Sequence, residues 1–215
     1  MNRTCYIELL GVSGSGKSFI FKKLKQKLPD NDKYHFIDKC NYKKRQLIHP
    51  VLLLSSIFKI SKCKLLFTKH FLKYLKLWYF TQLFLYREAS SYKPFVIIDE
   101  GTFHRARAIR HYSPVTNNKV RKVLFKGNTI ITDIVININT SPEIIHQFRE
   151  SRGTRAINIP VNEIYEEISI SAIGTREDIE FVNNNIKDVL FINIDYNGNN
   201  LDTVIDEIHQ TISNQ

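Results

Sequence analysis

Cys5-Tyr6-Ile7-Glu8-Leu9-Leu10, followed directly by Gly11-Val12-Ser13-Gly14-Ser15-Gly16-Lys17-Ser18, is the stretch that decides how this chain is read. Its second half matches GxxxxGK[ST] at every fixed position. A strand-like apolar run precedes it, and Phe19-Ile20-Phe21-Lys22-Lys23-Leu24 continues as a helix. Glycines let the backbone curl so that successive N–H groups point inward at phosphate oxygens. The following helix offers its unpaired N–H groups and positive dipole end to the same anion. In that geometry Lys17 reaches the β- and γ-phosphates and the Ser18 hydroxyl coordinates Mg²⁺. Gly11, Ser13, Gly14, Ser15, Gly16, Lys17, Ser18 and Phe19 are therefore the expected nucleotide contacts, with MgATP as the expected ligand.

Working outward, five β-branched apolar runs predict short buried strands at Thr4–Leu10, Tyr34–Asp38, Phe95–Asp99, Ile130–Ile138 and Val189–Ile194. Helical stretches alternate with them: Lys17–Leu28, His49–Phe58, Lys64–Ser90, Pro142–Glu150, Ile159–Ser169, Arg176–Asn184 and Leu201–Ser213. That alternation predicts an α/β fold, a five-stranded parallel sheet flanked by helices, in one domain over residues 1–215. The third strand ends in Asp99 and Glu100. Ligands of parallel sheets sit outside the carboxyl ends of strands, so Asp99 is expected to face the loop and hold Mg²⁺ opposite Ser18. Glu100 is then a second metal contact, a general base, or merely a helix cap.

Composition is that of an ordinary globular protein, 43% hydrophobic and 24% charged. Three widely spaced cysteines, Cys5, Cys40 and Cys63, argue against disulfides and a zinc site, so a cytoplasmic location is expected. The opening run to Gly11 is too short for a signal peptide. Net charge is +10, and seven Lys or Arg residues with no acid lie between Gly101 and Lys126. This run either faces an anionic substrate or forms a solvated basic face. Lys69, Lys73 and Lys76 interrupt the apolar Lys64–Ser90 segment at i, i+4 and i+7. It is therefore expected to be a mostly buried helix, with a surface-lying membrane helix as the lesser reading and no transmembrane segment.

The marks of other phosphate-loop branches are missing. Gly101 stands one position too early for DxxG, Asn118-Lys119 lacks the aspartate of NKxD, and no LSGGQ-like signature occurs. What remains resembles the P-loop kinase superfamily that includes thymidylate kinase and the deoxynucleoside kinases. More narrowly, Asp99-Glu100-Gly101-Thr102-Phe103-His104-Arg105 resembles the DEG…R element of thymidylate kinase-like proteins. The resemblance implies a P-loop NTPase fold with an arginine-bearing lid at about 142–160, where Arg149, Arg152 and Arg155 clamp the transferring phosphoryl group. It implies an adenine-side loop near Asp195 and Asn197. It also implies an acceptor held between the second strand end, the helical region of about 40–92, and Glu100 with Arg105. There Asp38 orients or deprotonates a hydroxyl, unless it is simply solvated, and Arg105 lies near the transferred phosphate.

The chain departs from both named enzymes. It has no DR[YH] triplet after the third strand and no Glu-Arg-Ser element, so thymidylate or a deoxynucleoside is not assured as substrate. A phosphorylated acceptor fits the basic run; a neutral nucleoside or sugar alcohol fits Asp38 with Tyr74, Trp78 and Phe84, which otherwise belong to the core. Expected catalytic residues are thus Lys17, Asp99, Glu100, Arg105, Arg152 and Asp38. A small-molecule kinase is the leading reading, and a regulatory NTP-hydrolysing protein the alternative. Nucleic acid is disfavoured as a partner, and a homodimer is left open.

Overall fold

A computed structural model describes residues 4–28, 32–37, 49–66, 68–88, 94–151 and 159–214. Five strands form one all-parallel sheet in the order β2-β3-β1-β4-β5. They are β1 (Cys5–Leu10), β2 (Tyr34–Ile37), β3 (Phe95–Ile98), β4 (Ile134–Asn139) and β5 (Leu190–Asp195). The chain moves from β1 outward to β2 and returns to β3, then crosses β1 to add β4 and β5 on the other side. The order therefore reverses between β1 and β3, and a crevice opens between their carboxyl ends.

Alternation along β1 sorts its side chains to two faces. Ile7 and Leu9 pack into a core with Ile20, Phe21 and Leu24 of α1 (Lys17–Lys27) and Val204, Ile205 and Ile208 of α8 (Leu201–Ser213). Leu10 enters a second core on the opposite face, built by α2 (Pro50–Lys62), α3 (Phe71–Glu88), α4 (Thr102–Tyr112), α5 (Asn117–Phe125) and α7 (Val161–Asn185). Tyr74 and Trp78 lie in that core and Phe84 in a neighbouring apolar cluster, all three buried, so their role is packing. Glu8, on the same face of β1 as Leu10, is completely buried.

Several element boundaries differ from expectation. The Lys64–Ser90 segment is not one helix: α2 runs on past Phe58 to Lys62, Lys64 turns into the left-handed region at φ 55, and α3 starts only at Phe71. Lys69 lies in the intervening turn, so only Lys73 and Lys76 remain of the helical lysine stripe. Two helices not assigned from sequence, α4 and α5, occupy the basic run. Expected helices at 159–169 and 176–184 merge into α7, because Gly174 and Thr175 continue the helix. A Cβ at Gly174 would strike the Arg110 guanidinium, so the glycine marks a crossing point rather than a break. The fourth strand begins at Ile134, not Ile130. The Ile130 N–H donates to Gln82 Oε1 and its carbonyl accepts from Gln82 and Thr102, which takes that residue out of the ladder.

Candidate functional site

Between β1 and α1 the chain adopts the loop that GxxxxGKS predicts. Gly14 and Gly16 take φ of 92° and 81°, left-handed values that a side chain disfavours. A Cβ on Gly16 would also lie 2.6 Å from Tyr196 Cε1, so the loop rests directly on a buried ring that follows β5. Loop carbonyls are held from outside. Arg107 Nη2 donates to Gly11 O at 3.1 Å, and Thr140 Oγ1 donates to Ser15 O at 3.0 Å. Arg149 donates to Ser13 O from both Nε (3.0 Å) and Nη2 (2.6 Å), and Nη2 also meets Glu167 at 2.8 Å. With its carbonyls fixed by these groups, the loop retains backbone N–H groups for an anion. Lys17 is buried at the head of α1; Ser13 and the Phe19 side chain are exposed, and the Phe19 N–H is spent on Gly16 O.

Asp99, just past β3, meets this loop across the β1–β3 pairing. Its Oδ2 accepts from Ser18 Oγ at 3.3 Å, while the buried Oδ1 has no hydrogen-bond partner among the described residues. A hydroxyl and an acceptor-only carboxylate oxygen, both hard donors, fit Mg²⁺. No cluster of three or more His, Cys, Asp or Glu suited to a metal occurs among the described residues, so such an ion would rely on Ser18, Asp99, phosphate oxygens and water.

Glu100 and Arg105 are both buried and paired, Arg105 Nη2 lying 2.7 Å from Glu100 Oε2. His104 Nε2 lies 3.8 Å from the other Glu100 oxygen. Burial pushes the His104 pKa down to about 3, against the pull of Glu100, so its imidazole is neutral at physiological pH. Beneath this cluster, Glu8 accepts from the Phe103 N–H at 3.0 Å, the His104 N–H at 2.7 Å and Thr132 Oγ1 at 3.2 Å. A carboxylate from the middle of β1 thus caps α4, satisfying N–H groups that its glycine N-cap leaves open. Burial nevertheless raises the Glu8 pKa to about 7.

The basic run is mostly turned inward. Arg110 and Arg121 both bind Asp178 of α7, Arg121 also reaches Glu177, and Arg107 also binds Ser171. These pairs lace α4 and α5 to α7, and the side of α4 toward α7 borders a cleft of about 1100 Å³. Val12, Arg107, His111, Tyr112, Asn117 and Glu163 are among its lining residues, Val12 being the one from the phosphate loop.

The structure brings together Gly11–Ser18, Asp99, Glu100 and Arg105. Arg149 it places in α6 (Pro142–Ser151) against the loop's carbonyl side. Asp38, Arg152 and Arg155 lie outside the described residues, as does Cys40. Asp195 is engaged with Asn139, and the Asn197 side-chain Oδ1 accepts the Asn199 and Asn200 N–H groups, folding the turn into α8. Sequence reasoning missed Glu8, His104, Arg107 and Thr140. Of these only Glu8 carried a local signal, an acid inside an otherwise apolar strand.

No family model matches the chain, and no curated protein sequence matches it. Solved structures do resemble it. A deoxyadenosine kinase from M. mycoides with dCTP bound aligns over 98% of this chain and 100% of its own, at 15% identity and a TM-score of 0.47. A structure of deoxyadenosine kinase from M. mycoides with the products dCMP and a flexible dCDP bound covers the same shares, at 14% identity and a TM-score of 0.50. The second likeness, with the strand order above, shows the fold alone: a five-stranded all-parallel sheet flanked by helices, with a phosphate loop after its first strand.

Proposed function

We propose that the chain transfers the γ-phosphoryl group of ATP to a small hydroxyl- or phosphate-bearing acceptor of the nucleoside or nucleotide kind, with a sugar-like acceptor less favoured. One observation supports the step from nucleotide holding to transfer: directly after Asp99, which meets Ser18 of the phosphate loop, a buried acid and guanidinium, Glu100 and Arg105, stand paired at 2.7 Å.

In this reading the loop N–H groups and the Lys17 ammonium grip the β- and γ-phosphates. Ser18 and Asp99 would hold Mg²⁺, which when bound would supply charge neutralisation to the phosphates. Arg105 adds a guanidinium at the start of α4, close to where charge spreads over the equatorial oxygens. Glu100, fixed by Arg105, accepts the acceptor's proton as its oxygen bonds to the γ-phosphorus and the bond to ADP breaks. Asp38 is the alternative base, and Arg152 and Arg155 are further clamps on the phosphoryl group. Arg149 acts on the nucleotide through Ser13, by holding the loop's curvature.

The test is a phosphorylation screen of nucleosides, nucleotides and sugars with ATP and Mg²⁺, read by mass spectrometry, with Lys17→Ala as control. The expected result is a product heavier by one phosphoryl group, formed by the wild type and lost in the variant. ADP released at the same rate with and without every acceptor would overturn transfer in favour of a regulatory hydrolase. Unchanged ATP affinity in Lys17→Ala would remove the loop from the mechanism altogether.

A further inference from the structure

The charge of this chain is concentrated in one place. Between Asp38 and Glu88 the sequence carries 11 Lys or Arg residues and no Asp or Glu, which exceeds the net charge of +10 for the whole chain. The remainder is therefore close to neutral, and seven of the eleven, Lys59, Lys62, Lys64, Lys69, Lys73, Lys76 and Arg87, lie in the α2–α3 hairpin, which carries much of the molecule's positive charge.

That hairpin also leaves an apolar stripe in water. Val51, Leu54 and Phe58 recur at i, i+3 and i+7 along α2 and are 59%, 67% and 59% exposed. The other side of the helix is buried through Leu52, Ser56, Lys59 and Ile60. Such spacing puts the three exposed side chains on one face. Lys62 continues the stripe one turn beyond Phe58, with its ammonium 4.1 Å from the Phe58 ring centroid. Leu66 in the following turn and Leu72 at the start of α3 are also exposed, as are Lys64, Lys69, Lys73 and Lys76. No described helix is long and apolar enough to cross a membrane.

We propose that α2, with the turn into α3, is a docking surface for an anionic lipid bilayer. The helix lies in the interfacial plane, with Val51, Leu54 and Phe58 inserted at the headgroup level and the flanking lysines on the lipid phosphates. An apolar face flanked by lysines is the arrangement that binds such surfaces by area and charge together. The charge decides among occupants. A second copy meeting this face across a two-fold axis would set lysines against lysines. A nucleic acid would satisfy the lysines but not Val51, Leu54 and Leu72, aliphatic side chains that offer its bases no stacking platform. None of Val51, Leu54, Phe58 and Lys62 lines the cleft or belongs to the phosphate loop, so docking through them does not depend on phosphoryl transfer.

Flotation with vesicles of phosphatidylcholine containing phosphatidylglycerol, against phosphatidylcholine alone, tests this without nucleotide. The expected result is binding to the anionic vesicles only, weakening as salt is added. Lys62→Gln with Lys64→Gln should weaken it about thirtyfold, since each lysine near an anionic surface is worth about a fivefold preference. Val51→Ser, Leu54→Ser and Phe58→Ser together should weaken it by about a hundredfold or more. Each variant is checked for an unchanged unfolding midpoint. Absence of binding to anionic vesicles would overturn the proposal, as would binding indifferent to the triple serine variant. So would a dimer by sedimentation that Leu54→Ser with Phe58→Ser converts to monomer, or displacement of the vesicles by an oligonucleotide.

Discussion

Two basic regions of this molecule carry the same sign of charge and use it in opposite ways. In α4 and α5 the arginines are turned inward: Arg105 on Glu100, Arg107 on Gly11 O, Arg110 and Arg121 on Asp178. In the α2–α3 hairpin the lysines stand outward, apart from Lys59, which is buried and capped by the carbonyls of Leu124 and Lys126. Arginine suits the first task because its planar fork bonds several acceptors at once; lysine suits the second because it is a strongly hydrated point charge on a flexible stem. A count of basic residues therefore says little until each is matched with its partner.

The comparison yields graded expectations. Asp178→Ala should be the most damaging of these changes, because it removes the acid from a shielded Arg110 guanidinium and leaves Arg121 with Glu177 alone. A loss of about 3–5 kcal/mol in denaturant unfolding is expected. A loss below 1 kcal/mol would mean the inward network is not what fastens α4 and α5 to α7.

Interior charges should also be the ones that answer to pH. Glu8 holds its proton in the folded state up to about pH 7, against 4.5 for a free glutamate side chain. Its contribution is thus fully present below pH 4.5 and is lost as pH rises through 7, about 3 kcal/mol in all. His104, held neutral down to about 3, acts oppositely: its contribution is present above its unfolded value of 6.5 and lost as pH falls. Glu8→Gln removes the first slope and keeps the second. Its stability relative to wild type should therefore rise by about 3 kcal/mol between pH 4.5 and 7 in urea melts at stepped pH. A flat difference would show that Glu8 is not the titrating group.

Arg149→Ala releases Ser13 O and should cost about 2 kcal/mol in stability, with ATP binding about tenfold weaker by calorimetry, since charged hydrogen bonds are lost. Weaker binding without lost stability would move Arg149 from the loop's support to the nucleotide itself. At the small end, Lys62→Glu should shift unfolding by no more than about 0.5 kcal/mol, as expected of an exposed position. A larger shift would blur the distinction between the two regions.

What the sequence disclosed follows the same line between local and distant partners. The phosphate loop was legible because glycine geometry, lysine and serine all lie within Gly11–Ser18, and strand and helix follow at once. Asp99 was legible because a parallel sheet has one ligand-binding end. Arg149 was read for its charge, but its main acceptor is the Ser13 carbonyl, 136 residues earlier, a group every residue possesses and no sequence displays. The helices α4 and α5 were overlooked under their arginines, although Phe103, Ala106 and Ile109 show a buried face, because the acid that neutralises Arg110 stands 68 residues downstream. Gly174, which lies between the two helices expected at 159–169 and 176–184, is where the Arg110 guanidinium passes against α7.

The unbroken course of α7 past that point has a mechanical consequence. Asp178 pins the helix to α4 and α5, while Ser171 and Glu167 tie its other half to Arg107 and Arg149, the two arginines that grip the phosphate loop. From Gly174 to Val161 the helix extends about 20 Å, at about 1.5 Å per residue. A rotation of about 5° about the Asp178 end would move the Val161 end by roughly 2 Å over that length. The Arg107 and Arg149 contacts lie along that length, so the ion pairs at Asp178 and the curvature of the phosphate loop are joined through one continuous helix.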